Sequence, residues 1–308
     1  MTTIYCGLDI SKQNLQLHLP DRVHDLANTP AGHRRLLKLL ADFPAVQVVC
    51  EATGGYEREV VASLHQSNLP VSVLNPARVR HFARATGQHA KTDHIDAVVL
   101  SDYGTKLQPK ATAPRTHQEQ QLTELIRRRM QLLDLLVAQR QQVESLTMAS
   151  LKQQARKLLR RLESDLAQIE ALLKELRSQT PLLDTRVEKL QAIKGVGMIT
   201  AMAVLAELPE LGTLNRHQAA ALAGLAPHPR DSGQWHGRRT IGGGRAPVRR
   251  ALYMAALVGA RSNRRFKEFY QRLRAAGKPA KVALTAVMRK LVVLMNQILK
   301  NPNFVLQN

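Results

Sequence analysis

The sequence is poor in aromatic residues and in cysteine. Aromatic side chains make up 4% of its 308 residues, which argues against a surface that binds single strands by stacking many bases. Cys6 and Cys50 are too few for a zinc knuckle or a disulfide scaffold. No apolar run reaches the ~18 residues of a membrane span, and no basic, apolar leader opens the chain. These absences predict a cytoplasmic protein of a reducing compartment with no membrane partner.

Acidic residues are also few. Lys and Arg number 45 against 24 Asp and Glu, which gives a formal net charge of +21. Residues 211–308 contain 18 basic residues against only Asp231 and Glu268. Unbalanced charge of this density repels itself unless a polyanion neutralises it. The last third is therefore predicted to contact nucleic acid, while a hydrophobic content of 44% still allows buried cores.

The first 110 residues alternate the patterns of strands and helices. The predicted elements are strands at residues 3–8, 15–19, 45–50 and 71–74 and helices at residues 30–43, 56–65 and 92–106. Two strands that can pair antiparallel, followed by a β-α-β-α order, indicate an α/β domain with a mixed sheet.

The middle of the chain has a different character. Between Pro114 and Pro181 there is neither glycine nor proline, and leucines recur at helical spacing. This pattern predicts a long coiled-coil-like helix or a helical hairpin, with a turn in the more polar segment 147–156. An apolar seam this long needs a partner, so we expect self-association. An internal antiparallel pair is the alternative.

The remaining residues predict a mainly helical domain with phosphate-binding signals. Residues 194–197, Lys-Gly-Val-Gly between two apolar helices, look like a helix-hairpin-helix, although an ordinary helix–helix turn fits the same pattern. Three glycines at 242–244 precede a helix that starts near Pro247, and a final helix at 280–299 is predicted to be core. The candidate nucleic-acid contacts are Lys194, Arg230, Arg238, Arg239, Arg245, Arg249 and Arg250.

Four carboxylates in the first domain are candidate metal ligands. Asp9 follows the first strand, Glu51 ends a buried strand, and Asp93 and Asp96 are three residues apart on a predicted helix. Taken singly, Asp93 could cap its helix, Asp96 could be solvated, and Glu51 could cap the next helix through the turn at 53–55. Converging carboxylates repel one another unless divalent cations bind them, and all-oxygen ligation favours Mg²⁺ or Mn²⁺.

The order of these acids resembles the DEDD site of RuvC-like nucleases, which have the ribonuclease-H fold. Residues 223–227 (Ala-Gly-Leu-Ala-Pro), 231–233 (Asp-Ser-Gly) and 249–254 (Arg-Arg-Ala-Leu-Tyr-Met) resemble the transposase domain of one mobile-element family. On both blocks the chain is identified as a member of the insertion-sequence 110 family of transposases. The resemblance implies a RuvC-like domain at 1–110, a coiled-coil dimerisation region at 111–180 and a transposase domain at 181–308.

The resemblance also implies a mechanism. The four acids would bind Mg²⁺, and Ser232 would be the nucleophile that forms a covalent phosphoserine with a cut DNA strand. A non-coding bridge RNA would pair with donor and target double-stranded DNA, so that base pairing reads sequence. Acids and serine would form a composite site from one subunit or from two. The implied assembly is a dimer, building to a tetramer during synapsis, in the nucleoid of a prokaryote.

Two other functions remain open at this point. A RuvC-like endonuclease, such as a junction resolvase, would hydrolyse DNA without rejoining it. A non-catalytic DNA- or RNA-binding protein could keep the fold, although the presence of all four acids counts against it. Ser232 discriminates between the enzymes, because a hydrolase that uses water does not need it. From the residues alone its position between helices is also typical of an ordinary turn serine.

Overall fold

A computed structural model describes residues 3–20, 22–88, 93–229, 231–232, 235–237, 239–301 and 303–304. The chain divides into two compact units, Met1–Arg115 and Thr116–Asn308. Residues 116–180 of the predicted middle region lie within the second unit. Each unit has its own hydrophobic core.

The described part of the first unit is a five-stranded mixed sheet flanked by helices. Its strands are β1 (Ile4–Ile10), β2 (Asn14–Leu19), β3 (Arg22–Ala27), β4 (Val46–Glu51) and β5 (Val71–Leu74), in the order β3-β2-β1-β4-β5. Strands β1 to β3 are antiparallel neighbours, and β4 is parallel to both β1 and β5. The helices are α1 (Pro30–Ala41), α2 (Glu57–Gln66), α3 (Pro76–Ala85) and α4 (Asp93–Leu107). The predicted α/β class with a mixed sheet is confirmed.

The sheet has two apolar faces with different partners. On one face Cys6 and Leu8 belong to a core cluster that includes Leu36 of α1 and Leu64 of α2. On the other face Val49 packs with residues of α3 and α4. Because side chains alternate along a strand, Gly7 and Asp9 lie on the face that α4 covers. Asp9 therefore lies between the sheet and this helix layer.

Helix α4 crosses β1 at very short range. A Cβ atom at Gly7 would lie 1.9 Å from the carbonyl oxygen of Ala97, and one at Gly104 would lie 2.6 Å from Cβ of Tyr5. The later part of α4 therefore lies over the start of β1, and the two elements run antiparallel. It follows that the first turn of α4 comes toward the carboxyl end of β1, where Asp9 lies.

We expect Gly7→Ala to destabilise the first unit by about 3 kcal/mol, because the added methyl group would overlap backbone that cannot move independently. Gly242→Ala is the control, since a Cβ there meets nothing within 4 Å. Urea unfolding followed by circular dichroism measures both. Equal midpoints for Gly7→Ala and wild type would contradict the close passage of α4 over β1.

The second unit begins with a helical hairpin. Helix α5 (His117–Ser145) starts in a capping box formed by Thr116 and Glu119, and α6 (Ala149–Gln179) returns after a short turn. Ion pairs join Arg129 to Glu170 at 2.7 Å and Arg140 to Glu163 at 3.0 Å across the two helices. The chain thus forms an internal antiparallel helix pair, which the sequence analysis gave as the alternative to self-association. Coiled-coil packing and dimerisation remain predictions.

The rest of the second unit is a helical core with a small β excursion. Its helices are α7 (Pro181–Gln191), α8 (Met198–Glu207), α9 (Arg216–Leu222), α10 (Ala246–Ser262), α11 (Arg264–Ala275) and α12 (Ala280–Lys300). Between α9 and α10 lie the two-residue strands β6 (Pro227–His228), β7 (Asp231–Ser232), β8 (Trp235–His236) and β9 (Thr240–Ile241). The mainly helical character predicted for this region agrees with the described residues.

Helix α12 is long and apolar enough to cross a membrane by length and composition alone, contrary to the expectation that no such segment exists. Half of its apolar window is buried within the protein. Its fully buried Asn296 donates to the carbonyl of Leu214 at 2.7 Å and accepts from the amide of Gly212 at 2.8 Å. These contacts make α12 a core helix of the second unit, as predicted.

Candidate active site

Two of the predicted acids occupy adjacent positions in the sheet. Leu8 and Cys50 are parallel partners on β1 and β4, and Asp9 and Glu51 follow them by one residue at the carboxyl end of each strand. Both carboxylates are half-buried. Since Gly7 faces α4, the same alternation directs Asp9 toward α4, and the parallel register places Glu51 beside it.

The other two acids lie at the start of α4. Asp93 is its first residue and Asp96 is half-buried one turn later, so both positions share a helix face. The antiparallel passage over Gly7 brings this turn to the Asp9 end of the sheet. The side chain of Asp93 lies outside the described part of the structure. Among the described side chains, no three His, Cys, Asp or Glu residues are grouped closely enough to hold a metal ion.

The turn at residues 53–55, which follows β4, is bound by Glu57. Glu57 accepts hydrogen bonds from the amide and the hydroxyl of Thr53, at 3.1 and 3.0 Å, and from the amide of Gly55 at 2.8 Å. Burial raises the pKa of Glu57, but these hydrogen bonds outweigh it and leave the pKa below its ordinary value. Glu57 therefore stabilises the turn after β4, and both metal binding and turn capping by Glu51 remain predictions.

A polar side chain next to Asp9, Gln16, was not predicted from the sequence. Gln16 on β2 is the register partner of Asp9, and Asp25 on β3 is the partner of Gln16. The Gln16 Oε1 atom is buried without a hydrogen-bond partner in the described structure, whereas Asp25 is exposed. The alternation of polar and apolar residues along β2 is the sequence pattern that could have indicated Gln16. The acids thus lie beside a buried, unpaired amide oxygen.

The two cysteines lie on the face opposite the acids. Cys6 and Cys50 are both fully buried in the cluster that also contains Leu8. Burial raises the pKa of Cys6 to about 12, and burial together with the charges of Glu57 and Glu51 also raises the pKa of Cys50. Both thiols therefore stay protonated near neutral pH and are unsuited to act as nucleophiles.

Ser232 lies in a nested pair of short β-bridges. Strands β6 and β9 pair as an outer ladder, and inside them Ser232 is the antiparallel partner of Trp235. Residues 233–234 between these partners, and the side chains of Ser232 and Trp235, lie outside the described structure. The serine is therefore held on a hairpin near its tip, where the sequence indicated only a turn between helices.

Three of the predicted nucleic-acid contacts are engaged within the second unit. Arg245 binds both carboxylate oxygens of Glu210, each at 2.6 Å, and the carbonyl of Glu207 at 2.9 Å. Arg249 donates to the carbonyl of Gly243 at 2.9 Å. Arg245 and Arg249 therefore anchor the glycine-rich segment before α10 to the helical core.

Arg250 binds Asp134 of α5 through two hydrogen bonds, at 2.5 and 3.0 Å. The bonds raise the pKa of Arg250 and lower that of Asp134. Of the other candidates, Lys194 and Arg239 are exposed, while Arg230 and Arg238 lie outside the described residues. Exposure leaves Lys194 and Arg239 as accessible candidates, whereas Arg250 joins α10 to the hairpin.

The predicted helix-hairpin-helix corresponds to α7, a short turn and α8. Gly195 in this turn has a φ of +103°, and a Cβ there would lie 2.7 Å from the backbone nitrogen of Gly259 in α10. The glycine is thus required by packing between the turn and α10. Gly197 has open space around it instead. The ordinary turn interpretation explains Gly195, and phosphate binding by the turn remains a prediction.

Family comparisons match both units. A model for DEDD transposases of the IS110 type, described as "Transposase", matches residues 6–149, and a second, described as "Transposase IS116/IS110/IS902 family", matches residues 187–271. The chain belongs to the IS110 family of transposases. The predicted resemblance is confirmed, and the transposase is an enzyme of DNA transposition and recombination. A DEDD-type domain also implies divalent-metal use in general.

The transposase has relatives of two kinds. Proteins named pilin gene-inverting protein, from Moraxella bovis and Moraxella lacunata, are each 27% identical to it over 312 residues, covering 97% of both chains. The insertion element IS110 uncharacterized 43.6 kDa protein of Streptomyces coelicolor is 31% identical over 141 residues, 45% of this chain and 33% of that protein. The similarity to the Moraxella proteins therefore extends over both units.

Proposed function

We propose that the transposase cuts and rejoins DNA, with Asp9, Glu51, Asp93 and Asp96 as metal ligands and Ser232 as the covalent nucleophile. The observation that carries the proposal is the register of β1 and β4, which sets Asp9 beside Glu51 at the sheet end approached by the first turn of α4. The strand order and the pairing directions also support a ribonuclease-H-type, RuvC-like fold for the first unit.

The donor set fits a hard divalent cation. Carboxylate oxygens and the unpaired amide oxygen of nearby Gln16 are the ligand types that Mg²⁺ and Mn²⁺ accept. When bound, such an ion would stabilise negative charge on the reacting phosphodiester. The half-buried carboxylates of Asp9 and Glu51 would hold it at the strand ends. The covered face of the sheet limits the conformations available to these side chains.

Ser232 would conserve the energy of the broken bond. Its hydroxyl oxygen forms a bond to phosphorus as one backbone P–O bond of the DNA breaks, and the departing oxygen takes up a proton. A hydroxyl of a second DNA strand then attacks the phosphoserine, which forms the new junction and returns the serine. Phosphodiester bonds are exchanged without net hydrolysis, so no further energy source is needed. The backbone of Ser232 is held by its antiparallel pairing with Trp235.

Guidance by a bridge RNA is part of the proposal. The low aromatic content and the basic last third fit a protein that binds backbone and leaves sequence to base pairing. The relatives named for pilin gene inversion suggest that the same strand exchange can also invert a segment when both sites lie on one DNA molecule. Insertion and inversion would then differ in the arrangement of the sites, with the same chemistry.

Self-association through the hairpin is also proposed. Leu151, Leu158 and Leu172 of α6 lie at multiples of seven residues on one side of the helix, and they are 41%, 50% and 46% exposed. Such an apolar stripe would be covered in a dimer, and two dimers would supply a tetramer for synapsis of two duplexes. The internal partner α5 covers a different side of α6, where Leu173 is buried.

The test is incubation of the purified transposase with donor DNA, target DNA, the non-coding RNA flanking its gene and Mg²⁺. Joined donor–target products that require the RNA are expected, together with a protein–DNA species that survives denaturing electrophoresis. Cut DNA without joined product would favour the RuvC-like endonuclease instead. Joined product without the RNA would remove the guidance step and leave the recombinase.

A further inference from the structure

The segment from α10 to α12 presents a second, larger group of cations apart from the Ser232 hairpin. Between residues 261 and 281 there are eight basic residues and one acidic residue. All eight basic side chains belong to exposed residues. We call them the α11 basic surface: Arg261, Arg264, Arg265, Lys267, Arg272, Arg274, Lys278 and Lys281.

The surface has little internal neutralisation. Its acid, Glu268, binds Arg264 at 2.9 Å with both side chains largely exposed, an arrangement that contributes little to stability. No other acidic residue occurs between residues 232 and 308. This differs from Arg245 and Arg250, which lie close to carboxylates of other helices. By sequence, the segment of the α11 basic surface therefore carries a strong excess of positive charge.

Helical spacing arranges these cations in rows. Lys267 and Arg274 are two turns apart and share one edge of α11, and Arg265 and Arg272 share the opposite edge. The first edge continues past the helix end, because Arg274 donates to the carbonyl of Lys278 at 2.7 Å. Four of the eight cations therefore form two roughly parallel rows along α11, and Lys278 extends one of these rows.

The aromatic side chains of α11 point inward. Phe266 is buried and Phe269 is half-buried, with the guanidinium of Arg272 5.4 Å and the ammonium of Lys290 4.0 Å from the centre of its ring. The exposed side of α11 therefore offers mainly cations, since Phe266, Phe269 and Tyr270 are all wholly or partly packed against the core. The chemistry matches the sugar–phosphate backbone of a paired helix.

We propose that the α11 basic surface binds the backbone of base-paired nucleic acid and holds it on the second unit. The inference rests on the proposed function for the presence of nucleic acid and extends it to a surface outside the reacting groups. Binding of this kind is independent of sequence and strongly salt-dependent, because each neutralised phosphate releases condensed counterions. Its role would be to position the substrate, with no part in the chemical step.

The test compares two triple variants of the full chain. The α11 variant replaces three lysines by glutamine: Lys267, Lys278 and Lys281. The α1 variant removes the same charge by replacing three exposed residues of α1 with glutamine: Arg34, Arg35 and Lys38. Fluorescence anisotropy with a DNA duplex is measured over a range of salt in EDTA. The α11 variant should reduce the slope of log K against log salt by up to about three, and the α1 variant should leave it unchanged.

Two further measurements provide a folding control and identify the nucleic acid that is bound. A Lys→Arg version of the α11 triple should keep the slope, which shows that charge and not folding is measured. An RNA hairpin of the same sequence shows whether paired RNA, paired DNA or both are bound. Equal effects of the two glutamine variants, or an effect on single-stranded oligonucleotides alone, would overturn the proposal. Because EDTA prevents metal-dependent chemistry, failure of the Ser232 mechanism would leave this result unaffected.

Discussion

Ser232→Ala is expected to abolish strand joining, with a loss of about 10⁴-fold or more. The reason is specific to covalent exchange: without the hydroxyl oxygen no phosphoserine forms, and the energy of the broken phosphodiester cannot be kept for rejoining. The denaturation-resistant protein–DNA species should vanish together with the joined product. Both are measured with 5′-labelled and 3′-labelled donor DNA, so that the label retained on the protein also reports which side of the break is attached.

Ser262→Ala is the matched control. Ser262 is exposed in the same unit, and its hydroxyl donates to the carbonyl of Val258 at the end of α10, 2.9 Å away. Its loss should leave joining unchanged. If Ser232→Ala joins DNA as well as wild type, the serine mechanism is wrong. If it cuts without joining, the chain hydrolyses DNA through water and the endonuclease interpretation takes its place.

Much of the first unit could be predicted from apolar patterning. The buried strands β4 and β5 are short runs of β-branched and other apolar residues between turn signals, so their positions were evident. Strand β3 was missed because it lies at the sheet edge and carries Arg22, His24 and Asp25. Backbone pairing with β2 stabilises β3 as a strand, although its composition is not typical of one. Edge strands are where periodicity carries least information.

The candidate site was less predictable, since residue type does not reveal partners. Arg245 and Lys267 are both cations of the basic last third, yet one is bound by Glu210 and the other lies on an open helix edge. Likewise Glu51 and Glu57 are both acids near one turn, and only the hydrogen bonds show that Glu57 stabilises it. The Arg245–Glu210 pair depends on packing between distant segments, whereas the Glu57 bonds are local but depend on the exact geometry of the turn.

Asp9→Asn is expected to reduce DNA cleavage by about 10²- to 10³-fold or more and to weaken metal binding. Asparagine keeps the size and shape of the side chain but removes the charge that a divalent cation requires, so folding should be preserved. The register of β1 and β4 sets Asp9 beside Glu51, and the loss therefore removes half of the acidic pair at the strand ends. Mn²⁺ titration by calorimetry and cleavage of labelled donor DNA measure the two effects.

Asp25→Asn is the control that distinguishes a specific metal site at Asp9 from an effect of the overall negative charge on this face of the sheet. Asp25 lies in the same row of the sheet two strands from Asp9, and it is exposed on the edge strand. It should change neither Mn²⁺ affinity nor cleavage, because a solvated carboxylate at the edge is screened by water and salt. Equal losses in the two variants would mean that the ion responds to the overall charge of the sheet face. Full cleavage by Asp9→Asn would refute Asp9 as a ligand, and the proposed DEDD site would have to be rebuilt around other residues.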